Sequence, residues 1–490
     1  MSPGAARPYV PALFLALALA LGGLRAPLPW LTFGVFFLAW FAWSAPAAVS
    51  FDRPAPYFFL WLGAAALFSP EPGASLPVLC RYAVLGLLFF SAEEAGENAW
   101  LKTVMGLGSV LAAVLLYQRF SAAGPAGLIG LNPNYSAAFC AGAFPAALLA
   151  LTGEGGRKEK TFYFLLVLLL ASGLLASGSR GAVLAAVAAA AAGLGVTRRW
   201  RALAALLLLP LALAALLPGH ALEGWLKLSD PRAFARPLIW ASSFKAAFAS
   251  PLLGWGPGLF GEIFELFKFP YFDGIAFYGH STLHAHSELL NLAAEAGFPA
   301  AVLFALAAGA ALLAGGAKKL PLKLCALAVF LQAGTDMIFY SGAVSLLFWG
   351  SLGFAAERPA GAAALSGRVK LFLAALCLAG LALGAARFYR ADAAARFVLA
   401  AGAQYEAGGG QTLGPALWRH SALSNPRNAF VAESEGRAEA AAGDLRAAEA
   451  AFARALELEP FFSRARLGLA GVYGAEGRAP EACRELARVP

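Results

Sequence analysis

Apolar runs close to the length that crosses a bilayer recur along the first four-fifths of this chain, and that recurrence limits its fold more than any other feature. A spanning helix needs about 20 mostly apolar residues. With no water in the hydrocarbon to take up stray backbone N–H and C=O groups, such runs must be helical. Candidate spans fall at 9–24, 28–49, 55–69, 76–92, 99–117, 135–152, 161–177, 181–197, 201–217, 298–315, 321–337, 342–356 and 369–387. The composition agrees: 60% of residues are hydrophobic and 13% charged, where soluble domains are about a quarter charged. The first run reads as a retained helix, because no small-residue cleavage site precedes the next polar segment. The expected fold is all-α, a polytopic bundle of about 12–13 transmembrane helices.

A net charge of +9 raises the question of nucleic acid, and the placement of the charge answers it. Basic residues gather in short loops: Arg157, Lys158 and Lys160; Arg198, Arg199 and Arg201; Lys318, Lys319 and Lys323; Arg358, Arg368 and Lys370. With the N-terminus inside, all of these fall on the cytoplasmic side, as expected for basic loops of membrane proteins. No nucleic-acid partner is expected; membrane lipids are. The same count puts 218–297, the loops near 120–134 and 177–181, and everything after 388 outside. The five cysteines are scattered, with no disulfide framework or CxxC zinc pattern.

Residues 1–388 form the membrane core, and 218–297 is its longest non-spanning segment. There ARPLIWASSFKAAFASPLLGWGPGLFGEIFELF reads as a helix, a Pro/Gly turn and a second short helix, with Trp225, Trp240 and Trp255 suited to a membrane interface. Residues 390–490 repeat: Pro426 and Pro460 stand 34 residues apart, as do Gly443 and Gly477, and Ala448 and Ala482. That is the tetratricopeptide period. A repeat starting at Ala429 places Gly436, Ala448, Phe452, Ala455 and Pro460 at signature positions; the next offers Leu469, Ala470, Tyr473 and Ala482, and a weaker one ahead has Gly402, Tyr405 and Pro426. This tail resembles a tetratricopeptide-repeat domain, whose default role is to bind a protein partner.

Four polar places stand at the mouths of apolar spans, where polar groups are costly and often functional. In SGSRGA, Arg180 occupies a turn too tight for anything but the surface; it is either a snorkelling side chain or an anion clamp helped by Gly178 and Gly181. Arg236 opens the helix of the large loop, with Arg232 and Lys245 nearby, and a guanidinium there can hold phosphate bidentately or serve as an ordinary charged face. Asn132 and Asn134 flank Pro133 in GLNPNYSAAF, a pattern that also suits simple helix capping. Finally, His280, His284 and His286 precede Glu288. Metal binding is disfavoured because His284 and His286 face different ways on a helix and no second ligand cluster completes a site. A histidine base, able to take a proton from a hydroxyl at neutral pH, suits the spacing better. The alternative is a helix start capped by His286 or Ser287, with Glu288 favourable to its dipole. Glu295, Gly297 and Pro299 read as a structural turn into the next span.

Arg180, Arg236 and His286 lie in three separate segments that charge places on one side. The SRGA turn, the R-x-x-x-W and P-x-x-G-x-G-x-G segments at Arg236–Trp240 and Pro251–Gly258, and the HxHSExL…E-x-G-x-x-A helix start together resemble the O-antigen ligase and O-antigen polymerase family, over roughly residues 120–360. The resemblance implies a metal-independent inverting glycosyltransferase of GT-C type in the bacterial inner membrane, with the large loop and repeat tail periplasmic and no cofactor. It implies a donor glycan on undecaprenyl diphosphate and a lipid or protein acceptor. Arg180 and Arg236 would bind the diphosphate and His286 would activate the acceptor, with Asn134, Arg232, His284 and Glu288 as further substrate contacts. Ser287 departs from the asparagine of many members, and the repeat tail is absent from the simplest lipopolysaccharide ligases, which leaves ligation, polymerisation and transfer to protein open. A transporter would more often show related halves; a scaffold presenting the repeats would leave the SRG turn unexplained. The charge pattern predicts that alkaline phosphatase fused after residue 250 or 480 is active, and after residue 158 or 320 inactive.

Overall fold

The computed structural model describes residues 9–121, 124, 126–216, 223, 235–270, 280–357, 361–408, 415–424 and 426–489. Helices dominate. The first set comprises α1 (Val10–Ala20), α2 (Pro27–Trp43), α3 (Pro54–Leu67), α4 (Pro72–Ser91), α5 (Glu97–Phe120), α6 (Pro133–Leu151), α7 (Arg157–Ser177), α8 (Arg180–Val196) and α9 (Trp200–Leu216). The long loop carries α10 (Arg236–Ala249) and α11 (Phe260–Phe267). Then follow α12 (Glu288–Leu313), α13 (Leu320–Ala333), α14 (Gly342–Ala355) and α15 (Gly367–Gly408). A two-residue antiparallel pairing of Ala48–Val49 with Ala363–Ala364 ties two interhelical loops together.

Among the described residues, six helices are long and apolar enough to cross a membrane: α4, α5, α6, α7, α12 and the Gly367–Arg390 part of α15. Six further apolar helices are shorter, among them α1, α2, α3, α8 and α14. The difference from about 12–13 full spans has a local cause. Proline opens the first turn of α2, α3, α4, α6 and α13, where its missing N–H costs nothing; the shortening lies at the other ends, since α1 stops at Ala20 and α2 at Trp43, short of runs reaching 24 and 49. The run at 321–337 is cut back further, because α13 ends at Ala333 and leaves Asp336 in a non-helical connection.

Small residues let these helices approach closely, which matters where lipid gives no hydrophobic drive between helices. The Gly108 backbone of α5 lies against Ala143 and the Phe139 carbonyl of α6, and Gly193 of α8 against Leu324 of α13. α6 is buried along most of its length, so the bundle is built round it. An aromatic knot of Phe58, Phe304, Phe348 and Trp349 joins α3, α12 and α14, with Phe58 stacked on Trp349 at 5.6 Å.

α12 is broken at Gly297 (φ 82°, ψ 166°), and the break seats the long loop. It frees three carbonyls that the helix would otherwise use. Trp255 N–H donates to Ala294 at 3.1 Å and Gly256 N–H to Glu295 at 2.7 Å, while the Trp61 indole donates to Ala296 at 3.0 Å. Phe298 N–H returns to the Pro251 carbonyl at 2.9 Å, and the Glu295 carboxylate accepts from Phe260 N–H at 3.1 Å, at the start of α11. The expected structural role of Glu295, Gly297 and Pro299 thus takes the form of a docking site for the P-x-x-G-x-G-x-G turn.

α15 runs unbroken for 42 residues, so the boundary expected near 388 and the weak repeat at Gly402 and Tyr405 fall inside one helix. Beyond it lie α16 (Pro415–Ser424), α17 (Ala429–Ala441), α18 (Leu445–Leu458), α19 (Ser463–Ala475) and α20 (Ala479–Leu486). The pair α19–α20 starts 34 residues after the pair α17–α18 (429 to 463, 445 to 479). Phe452, Ala448, Ala455, Ala465 and Leu469 form their common core. Arg427 fastens this unit to the membrane part through Glu71 at 2.7 Å and Glu262 at 2.9 Å, and Lys268 reaches Glu459 at 2.5 Å.

A Cβ at Gly297 would fall 1.9 Å from the Leu252 carbonyl oxygen. Gly297→Ala is therefore expected to lower stability by about 1–3 kcal/mol, read as an earlier detergent-solubilised melting transition, with increased proteolysis of the 235–270 loop.

Candidate active site

Four helix starts meet at one end of the bundle, and the connection after α13 sits among them. Thr335 and Asp336 follow the last turn of α13. The Asp336 carboxylate is largely buried, with its side chain 10% exposed. One oxygen accepts from the Asn134 side-chain amide at 2.5 Å; the other accepts from Met337 N–H at 2.9 Å. That second oxygen also faces His286 Nδ1 at 3.5 Å and an Arg236 guanidinium nitrogen at 3.8 Å. Arg236 donates in addition to the Thr335 carbonyl at 2.9 Å. On the remaining side, a Cβ at Gly181 would lie 3.1 Å from the Thr335 hydroxyl, which puts the SRG turn against the same connection.

Each element is held by its own local chemistry. Asn132 caps α6 by accepting from Asn134 N–H at 3.0 Å, so the NPN segment is a helix cap as well as the source of Asn134. Gln332 fixes it from α13, donating to the Asn134 carbonyl at 3.1 Å. Arg180 and Arg236 are the first residues of α8 and α10. Ser287 is the N-cap of α12 without a side-chain capping bond; Asn291 reaches back instead to accept Ala285 N–H at 3.1 Å. His286 has φ 52°, a left-handed conformation that is uncommon for non-glycine residues and concentrates at functional sites. Its carbonyl accepts from the Trp240 indole at 3.4 Å, which links the R-x-x-x-W segment directly to the histidine.

Electrostatics follow from this packing. Burial pushes the Asp336 carboxyl up, but hydrogen bonding to His286 and the Arg236 charge, with His286 charge and Met337 N–H added, outweigh it and hold the group below its ordinary range. Facing an ionised Asp336, the Nδ1 of His286 is the ring nitrogen suited to carry a proton, and in that tautomer Nε2 is the acceptor. Burial, with the neighbouring His286, pushes His284 down to about 4, so its ring is neutral when it packs edge-on to His286 at 4.9 Å and Tyr340 at 5.5 Å. The starts of α6, α8, α10 and α12, each carrying roughly half a positive charge, converge around Arg236. Such an arrangement favours an anion.

The expected site residues therefore divide. Arg236, His286 and Asn134 meet on Asp336, His284 packs on His286, and the helix start that carries Arg180 lies alongside. Glu288 points away from it: buried at 1% exposure, it accepts from Tyr82 OH at 2.9 Å. Arg232 lies outside the described residues. His280 packs against Phe269 at 4.6 Å, away from the other two histidines. Among the described residues no group of three or more metal-ligating side chains is gathered. Asp336 and Gln332 are the residues that sequence reasoning missed. The signal was available, an acid at the end of an apolar run, but assigning 321–337 to a span hid it.

A many-helix membrane protein with one polar, anion-favouring site at a bundle end is the class these features define. A family model described as O-antigen ligase matches residues 165–305. That stretch contains Arg180, Arg236, His284 and His286, while Asn134 and Asp336 lie outside it. No curated protein matches the chain.

Two outcomes are expected. Asp336→Asn keeps the shape but removes the charge that anchors His286, and should lower turnover about 10²-fold at matched folded protein. Because His284 titrates lower folded (about 4) than its ordinary 6.5, the unfolded chain takes up the extra proton first. Stability should then fall as pH drops from 6.5 towards 4, and melting curves of His284→Phe should show a shallower fall over that window.

Proposed function

We propose that this protein is a membrane glycosyltransferase that moves a glycan from undecaprenyl diphosphate to an acceptor hydroxyl on the periplasmic face of the bacterial inner membrane. The observation that carries the reading is the meeting of Arg236 and His286 on Asp336, with Arg236, His286 and the neighbouring SRG turn inside the stretch that matches the O-antigen ligase family. His286 Nε2 takes the proton of the acceptor hydroxyl as its oxygen attacks the anomeric carbon from the face opposite the diphosphate. The anomeric carbon–oxygen bond breaks with inversion, and its electron pair leaves on the diphosphate. Arg236, Arg180 and the converging helix starts stabilise that developing charge, work that otherwise falls to a divalent cation. Asp336 positions the base, Asn134 positions Asp336, and His284 lines the acceptor side. Transfer to a lipid-borne acceptor, as by an O-antigen ligase, is the leading form; polymerisation and transfer to protein use the same chemistry. The tail of 34-residue helix pairs is proposed to be a tetratricopeptide domain that binds a protein partner.

Complementation of a strain lacking the protein tests the reading. His286→Ala should lower transfer about 10²–10⁴-fold, and Arg236→Ala or Arg180→Ala about 10²-fold or more, at equal membrane levels. Loss of attachment on the gel identifies a ligase, and attachment of single units a polymerase. Full activity in all three variants would sink the enzyme reading and leave a scaffold or lipid-glycan transporter in its place.

A further inference from the structure

Past His284 the site continues into a second group of cations. Arg25, between α1 and α2, donates through Nη1 to the Gly130 carbonyl. Its guanidinium carbon lies 5.3 Å from the Tyr135 ring centre and 5.6 Å from that of Tyr340. Tyr340 is the ring on which His284 packs, and the charge of Arg25 reaches His284 itself. Arg81, in the middle of α4, sits 5.9 Å from the Trp30 ring and within electrostatic range of Tyr340. Neither arginine makes an ion pair with an acidic side chain among the described residues, and the Nε of each is buried without a hydrogen-bond partner.

An arginine inside a spanning helix without an acidic partner, as Arg81 is, is costly and by default marks a functional position. Aromatic faces compensate the charge only in part, and the guanidinium forks that remain match phosphate oxygens. The backbone is shaped to admit one of them. Gly130 has φ 60°, and a Cβ there would fall 1.8 Å from Arg25 Nη1, so any other residue would displace the arginine.

We propose that Arg25 and Arg81 form a second anion subsite, which grips a phosphate group of a lipid ligand on the His284 side of the candidate active site. This rests on the transfer reaction proposed above. The phosphate belongs either to the donor's diphosphate or to a phosphorylated acceptor headgroup.

Full-length protein in nanodiscs would be titrated with three probes: undecaprenyl diphosphate, uncharged undecaprenol, and a bis-phosphorylated acylated disaccharide lipid. Wild type would be compared with Arg81→Gln, Arg81→Lys, Gly130→Ala and Arg236→Gln, each checked by its melting transition. Arg81→Gln and Gly130→Ala should weaken one phosphorylated lipid about tenfold or more, while Arg81→Lys, which keeps the charge but loses the fork, recovers only part of the affinity. Loss confined to undecaprenyl diphosphate assigns the subsite to the donor, and loss confined to the disaccharide lipid assigns it to the acceptor. If phosphate-dependent binding depends on Arg236 but is unchanged in Arg81→Gln and Gly130→Ala, the subsite is overturned and the transfer reading stands. If wild type binds undecaprenyl diphosphate no better than undecaprenol and also ignores the disaccharide lipid, both fall.

Discussion

A carboxylate withdrawn from water keeps its charge only where donors surround it, and Asp336 is where this chain meets that requirement. Its hydrogen-bonding partners are Asn134 at the start of α6, Met337 on its own connection and His286 ahead of α12, and Arg236 at the start of α10 adds a positive charge 3.8 Å away. Removing the carboxylate would leave those groups without a common partner. The geometry of the candidate site is thus a consequence of satisfying one buried charge, and the same contacts give the histidine a defined proton and the arginine a defined reach.

The break in α12 plays the complementary part for the backbone. A helix interrupted in a low-dielectric interior leaves carbonyls that must find donors, at several kcal/mol each if they do not. The turn 251–258 and Trp61 supply them. The long loop is thereby pinned next to the first turn of α12, and this carries α10 with Arg236 and Trp240 to His286. Pro and Gly, which read as breakers in the sequence, here create the docking surface.

Much of the architecture was legible along the chain. Apolar runs marked the helices because hydrocarbon leaves no alternative to internal hydrogen bonding. The 34-residue spacing of Pro426 and Pro460 marked the two helix pairs of the tail. Arg180, Arg236 and His286 stood out because charge is rare at span mouths. Where the reading fell short, a local effect was responsible: α1 and α2 ended before their apolar runs did, α13 stopped at Ala333 instead of running to 337, and Glu288, expected at the site, turned inward to Tyr82.

Hydropathy and charge, which are sums over neighbouring residues, are properties that a sequence carries by itself. They determined that the chain is a many-helix membrane protein with one long non-spanning segment and a repeating tail, and they put the histidine and arginines at span ends. Which side chain meets which is a matter of residues far apart in sequence, such as Asn134 with Asp336 or Arg25 with Gly130. No local pattern encodes such pairings, because each depends on how helices pack and where they end. Only the tertiary structure could make Asp336 the centre of the site and place a second pair of arginines beside it.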